Sequence, residues 1–156
     1  MEKLIKLVAN LNKININTIC EKLFNTKKVH DYLIIKEKNR LSQRGEDTKG
    51  TKIITYHART PNSYANYTII KKSENSGIAA TTKHVTLYET GSFYKSFALV
   101  VKNIYAELTG SKSSISLLAE NLDTTNILGL TDSELSEFED YLKPLILIEI
   151  KGCVKK

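Results

Sequence analysis

Ser92-Phe-Tyr-Lys95 has the S-x-x-K spacing of serine–lysine acyl enzymes, in which a lysine takes the proton of a nucleophilic serine. It lies at the head of an alternating pattern, Phe93 to Val101, that reads as a strand. Strand geometry sends residues at odd separation to opposite faces, so Ser92 and Lys95 should point apart. The companion S-D-N and K-T-G motifs are absent. His30, His57 and His84 form no H-x-x-x-H or H-E-x-x-H pair and have no cysteine nearby, so they read as surface or loop histidines. Asp132, Glu134, Glu137, Glu139 and Asp140 resemble a carboxylate cluster, but a helix spreads these positions around much of its circumference. They read as a solvated or inter-subunit face. Neither G-x-x-x-x-G-K-[ST] nor G-x-G-x-x-G occurs. The chemistry-bearing residues therefore point to no catalytic site, no metal and no cofactor.

The elements that carry these residues belong to one domain. A chain of 156 residues with 41% apolar and 26% charged side chains suits a single unit over 1–156 with its own core. Two cysteines far apart, Cys20 and Cys153, exclude a disulfide framework and suit a reducing compartment. Apolar runs such as Leu145-Ile-Leu-Ile148 fall far short of the roughly 20 residues a membrane span needs. Polar residues interrupt the first eight positions, unlike a secretory signal. The expectation is a soluble, intracellularly made protein with no membrane partner.

Charge is unevenly divided. Residues 1–84 hold 16 Lys/Arg against 7 Asp/Glu, and residues 85–156 hold 7 against 10, which gives +9 and −3 and sums to +6. Such a split suits a basic face that meets phosphate, or one that meets the acidic face of a neighbouring copy.

Helical spacing of Leu4, Leu7, Val8 and Leu11 predicts a first helix, and Asn12–Asn17 a break. Asn17 or Thr18 can cap a second helix bearing Ile19, Leu23 and Phe24. A third helix is predicted over about Thr26–Arg40, although Tyr32-Leu-Ile-Ile35 reads equally as a strand. Residues 45–83 read as a protruding basic arm, with short β-like pieces at Lys52–Tyr56 and Tyr67–Ile70. Tyr56, Arg59, Tyr64, Lys71 and Lys72 are its candidate inter-subunit or DNA contacts. A hairpin is predicted at about 93–108, with Lys102-Asn103 as the turn, followed by a short helix over Ser113–Asn121. Thr131-Asp-Ser-Glu134 is a capping box that opens the last helix, in which Pro144 should make a kink or a new start. The fold class is α+β: N-terminal helices, an extended β arm, a small antiparallel sheet on that hairpin, and a capped C-terminal helix.

Two segments together resemble a known family. Leu87-Tyr-Glu-Thr90-Gly91-Ser-Phe93-Tyr-Lys-Ser96-Phe97 resembles the L-x-x-T-G-x-F/L-x-x-S signature of small neck and tail-completion proteins of tailed bacteriophages, in the version found in Bacteroidetes (crAss-like) phages. Upstream, Leu41-x-x-x-Gly45-x-Asp47-x-x-Gly50 is similar to the loop before that signature, and Ile127-Leu-Gly129-Leu-Thr131 fits downstream. Glu89 stands where Asp is usual, and Ser42 and Glu46 replace apolar positions. The residues alone suggest a left-handed Gly91, a local backbone bond from Thr90 or Ser96, and Phe93 and Phe97 as anchors.

The resemblance implies a virion structural subunit, assembled in the host cytoplasm into a hexameric or dodecameric head–tail connector or tail-completion ring. Portal, neck or tail proteins would flank it, and DNA would pass through its lumen without sequence-specific binding. The competing reading is a small basic nucleic-acid-binding protein that uses the arm for phosphate contacts and base stacking.

Overall fold

The computed structural model describes residue 6, residues 9–55, 64–88, 90–102, 105–111, 116, 122 and 126–154. The predicted first helix falls mostly outside these residues, although Ala9, Asn10 and Leu11 are helical. Tyr56, Arg59, His57, Glu89, Asn103 and most of Ser113–Asn121 also lie outside them.

Three helices and a hairpin carry the fold. Helix α1 spans Ile16–Phe24 and is capped by Asn15, whose side chain accepts from the Asn17 and Thr18 amides. The cap thus falls two residues before the predicted Asn17, because Asn15 can reach both amides from extended backbone. Helix α2 spans Lys27–Asn39, with Thr26 as its cap. Tyr32–Ile35 is helical, and Val29, Leu33 and Glu37 form the buried stripe. The helix then widens into a π-turn, Arg40–Arg44, closed by Gly45 in the left-handed conformation.

Helix α3 spans Asn66–Ser73, where a β-like piece was expected at Tyr67–Ile70. Its β-branched residues favour a strand locally. Burial of Lys72 against Thr86 and Tyr88 decides for the helix instead. The Lys52–Tyr56 piece contributes only isolated bridges, Glu46↔Lys52 and Thr55↔Leu122.

The predicted long strand is divided. Ser92–Lys95 forms a single helical turn, α4, entered from a left-handed Gly91. Strand β1 begins only at Ala98 and runs to Lys102, antiparallel to β2 at Tyr105–Thr109. Pairing runs from Lys102↔Tyr105 to Ala98↔Thr109, one residue beyond the predicted turn. Phe93 and Phe97 satisfy both periods, since four residues return a side chain to one face of a strand or of a helix. The positive φ at Gly91 selects the turn.

Helix α5 spans Asp132–Val154 and continues through Pro144. The ring lies on the exposed side, where water can take the bond that its missing N–H gives up. The capping box is formed, with the Glu134 amide donating to Thr131 Oγ1 at 3.2 Å and the Thr131 amide to Glu134 Oε2 at 3.0 Å. The α+β class is thus observed, with a two-stranded antiparallel sheet and a C-terminal helix. Among the described residues no helix is long and apolar enough to cross a membrane.

Apolar residues gather in two clusters. One joins Val29, Leu33, Leu99 and Phe138, so that α2, β1 and α5 share a core. The other joins Leu41, Ile53, Val85, Phe93, Phe97 and Ile127, together with Tyr64, Tyr94 and Leu122. It is assembled largely from segments without regular structure, among them residues 41–50 and 87–97.

Candidate functional site

The π-turn places Arg40 at the centre of this second region. Its side chain is wholly buried and lies between two buried carboxylates, Glu37 one turn earlier and Glu134 at the start of α5. Arg40 Nη2 donates to Glu37 Oε2 at 2.7 Å, and to the carbonyls of Ile127 and Gly129 at 2.8 and 2.9 Å. Nη1 donates to the Glu46 carbonyl. Nε lies 3.3 Å from Glu134 Oε2, near enough for charge attraction but outside hydrogen-bond geometry. Arg44, half exposed, reaches Glu134 Oε1 from the rim.

One guanidinium therefore ties together α2, the loop after Gly45, the strap over residues 126–131 and the N-terminus of α5. Only a planar fork with several donors can serve acceptors arranged in this way. Glu134, expected on a solvated face, is buried here, and its carboxylate serves both the helix cap and the cluster. The remaining acidic side chains of that set are exposed. Burial pushes the Glu37 carboxyl up to about 7 from 4.5, against the pull of Arg40 and of the Gly129 amide.

The upstream part of the signature forms a closed loop on this hub. Gly45, at φ 62°, donates its amide to the Arg40 carbonyl and accepts from the Ile53 amide. Asp47 Oδ1 accepts from the amides of Lys49 and Thr51, both at 2.9 Å, while the Asp47 amide donates to the Thr51 carbonyl. Gly50 supplies the left-handed residue of the turn. The Thr48 amide donates to the Asn126 carbonyl, which anchors the loop to the strap.

The downstream part packs directly on the first. A Cβ on Gly45 would lie 2.8 Å from both the Val85 carbonyl oxygen and His84 Cδ2, so the two chains touch where only glycine fits. His84 Nε2 donates to the Ser42 carbonyl at 2.9 Å, which fixes its tautomer. Leu87 is held at φ 51°, an unusual conformation for a branched side chain and a point of local strain. Gly91, at φ 78°, packs against the Tyr88 ring. Thr90 Oγ1 accepts from the Ser92 amide and donates to Ser92 Oγ. Ser96 Oγ donates to the Phe93 carbonyl and accepts from the Ser111 amide, which holds α4 to the end of the hairpin. The Phe93 and Phe97 rings meet edge to face at 4.8 Å.

Ser92 and Lys95 share a helical turn rather than a strand, so the geometric separation expected of them does not arise. Both residues are exposed, and Ser92 Oγ is engaged by Thr90. Among the described residues no group of His, Cys, Asp or Glu could hold a metal ion.

Of the candidate contacts in the arm, Tyr64 and Lys72 point inward. The Thr86 amide donates to Tyr64 Oη at 2.6 Å, and burial pushes the Tyr64 phenol up. Lys72 Nζ lies 4.6 Å from the Tyr64 ring centre and donates to Thr86 Oγ1 and the Tyr88 carbonyl. Neither can stack on a base or reach a phosphate. Lys71 is exposed. The most exposed apolar side chains among the described residues of this stretch are instead Tyr67 and Ile70, one turn apart on α3 at 76% and 65% exposure, ahead of Ile69 and Ile78.

Sequence reasoning missed Glu37 and Arg40. Their signal was the buried stripe of α2, Val29 and Leu33, which continues at helical spacing onto Glu37 and then Arg40 and Leu41. Charged residues that extend an apolar stripe announce a buried ion pair.

No family model, curated protein or solved structure matches the chain.

Proposed function

We propose that this chain is a structural, non-enzymatic subunit of a tailed-phage virion, forming a ring in the head–tail connector or tail-completion region through which DNA passes. One observation carries the reading. The two segments that resemble the family signature, 41–50 and 87–97, fold against each other at Gly45 and share one core cluster. Chance matches have no reason to meet in space, or to put each glycine where φ is positive.

The inter-subunit contact on the arm is assigned to Tyr67 and Ile70, in place of the inward-facing Tyr64 and Lys72. Copies in a ring bury such side chains, which a free nucleic-acid binder has no cause to expose. Changing both to serine is expected to leave the monomer's melting temperature within about 2 °C, because surface changes move stability by about 0.5 kcal/mol or less. The same variant is expected to lose ring assembly, scored by incorporation into particles. Normal incorporation of a folded double variant contradicts the assigned contact. The nucleic-acid reading requires instead tight duplex binding at physiological salt, with a steep salt dependence.

A further inference from the structure

The α3 contact needs a face on the next copy to receive it, because a ring joins unlike surfaces of successive copies. Helix α5 carries one. Pro144, Leu147, Ile148 and Lys151 recur at helical spacing on one side of that helix, and all four are exposed, Leu147 at 54% and Ile148 at 64%. The side that holds Phe138, Tyr141, Leu142 and Leu145 packs into the first core cluster, so the exposed stripe is turned away from the chain's own core. Apolar side chains gathered on one exposed face and edged by charge mark an interaction surface.

The exposed side of α3 has the same order of residues. Tyr67 and Ile70 are followed one turn later by Glu74, the C-cap of the helix, while Lys72 faces the opposite way, into the core. On α5, Leu147 and Ile148 are followed one turn later by Lys151. Tyr67 to Glu74 and Pro144 to Lys151 cover the same length, about 10 Å along a helix axis.

Two charges give the match a direction. Glu74 sits at the negative end of the α3 dipole, where its own helix disfavours it. Neither Glu74 nor Lys151 has an ion pair among the described residues. Lys143, the other exposed base beside the stripe, already pairs with Asp140. When the two helices run the same way, Glu74 meets Lys151 while Tyr67 and Ile70 cover Pro144, Leu147 and Ile148.

We propose that the 144–151 side of α5 is the receiving face for α3 of a second copy, packed parallel, with Glu74 and Lys151 fixing the direction. This rests on the ring reading above and adds to it the surface through which successive copies join.

The test is incorporation into particles of the full chain in four forms: native, Glu74→Lys, Lys151→Glu, and the two changes together. The variants are expected to melt within about 2 °C of the native chain, because exposed changes move stability little. Each single reversal sets like charges against each other and is expected to lower incorporation by about tenfold or more. The double exchange restores the pair and is expected to return incorporation to within about twofold of native. Leu147→Ser combined with Ile148→Ser is expected to abolish it. Single variants that incorporate normally, or a double exchange no better than the single ones, overturn the pairing of α3 with α5 and leave the ring standing. Particles without the native chain overturn the ring itself, and the pairing with it.

Discussion

Replacing Arg40 with leucine is expected to cost about 3–5 kcal/mol, the range for removing one partner of a buried ion pair. Total stability of a domain this size is about 5–15 kcal/mol, so the variant should sit at the edge of unfolding. The cause is what remains behind. Glu37 and Glu134 would face each other without the guanidinium between them, and the carbonyls of Glu46, Ile127 and Gly129 would lose their donor. Arg40→Lys keeps the charge but cannot serve acceptors spread over this angle, so it should fall between the two. Urea unfolding of the three proteins measures the effect. A loss below about 1 kcal/mol for the leucine variant would show that Arg40 is not the hub of the fold.

Alanine at Gly45 is expected to be nearly as damaging, at about 2–4 kcal/mol. A left-handed conformation alone costs an alanine about 1–2 kcal/mol. The rest comes from a Cβ placed 2.8 Å from the Val85 carbonyl oxygen, a backbone atom that cannot step aside without moving the 84–88 segment. Gly50 is the control. It has a similar φ of 74° but nothing within 4 Å of where its Cβ would stand, so Gly50→Ala should cost only the conformational part. Equal losses for the two variants would mean that the contact between the signature segments contributes nothing.

Both effects sit where sequence reading was weakest. Helices α1, α2 and α5 were legible because their apolar residues recur at helical spacing and because the Thr131–Glu134 box announces the start of α5, whereas α3 and α4 were read as β. Gly91 was legible too as a left-handed residue; Gly45 and Gly50 are left-handed as well, which the sequence reading did not assign. The arm was misjudged as protruding polar chain at residues that instead face the core. Tyr64 and Lys72 find partners in Thr86 and Tyr88 more than ten residues away, and no local pattern records such pairings. The same holds for Glu134, whose short-range role in the capping box concealed its long-range one with Arg40 and Arg44. Phe93 and Phe97 fit two periods, and only the backbone at Gly91 separates them. What local periodicity cannot carry is the tie between distant polar residues, and the second core region is made of such ties.

The proposed role as a ring component of a virion is tested by electron microscopy of assembled particles. A closed cyclic ring of this chain between portal and tail is expected, with α3 of one copy, at Tyr67 and Ile70, buried against the next. Particles that lack the chain, or that hold it as a lone copy or a two-fold dimer, would contradict it.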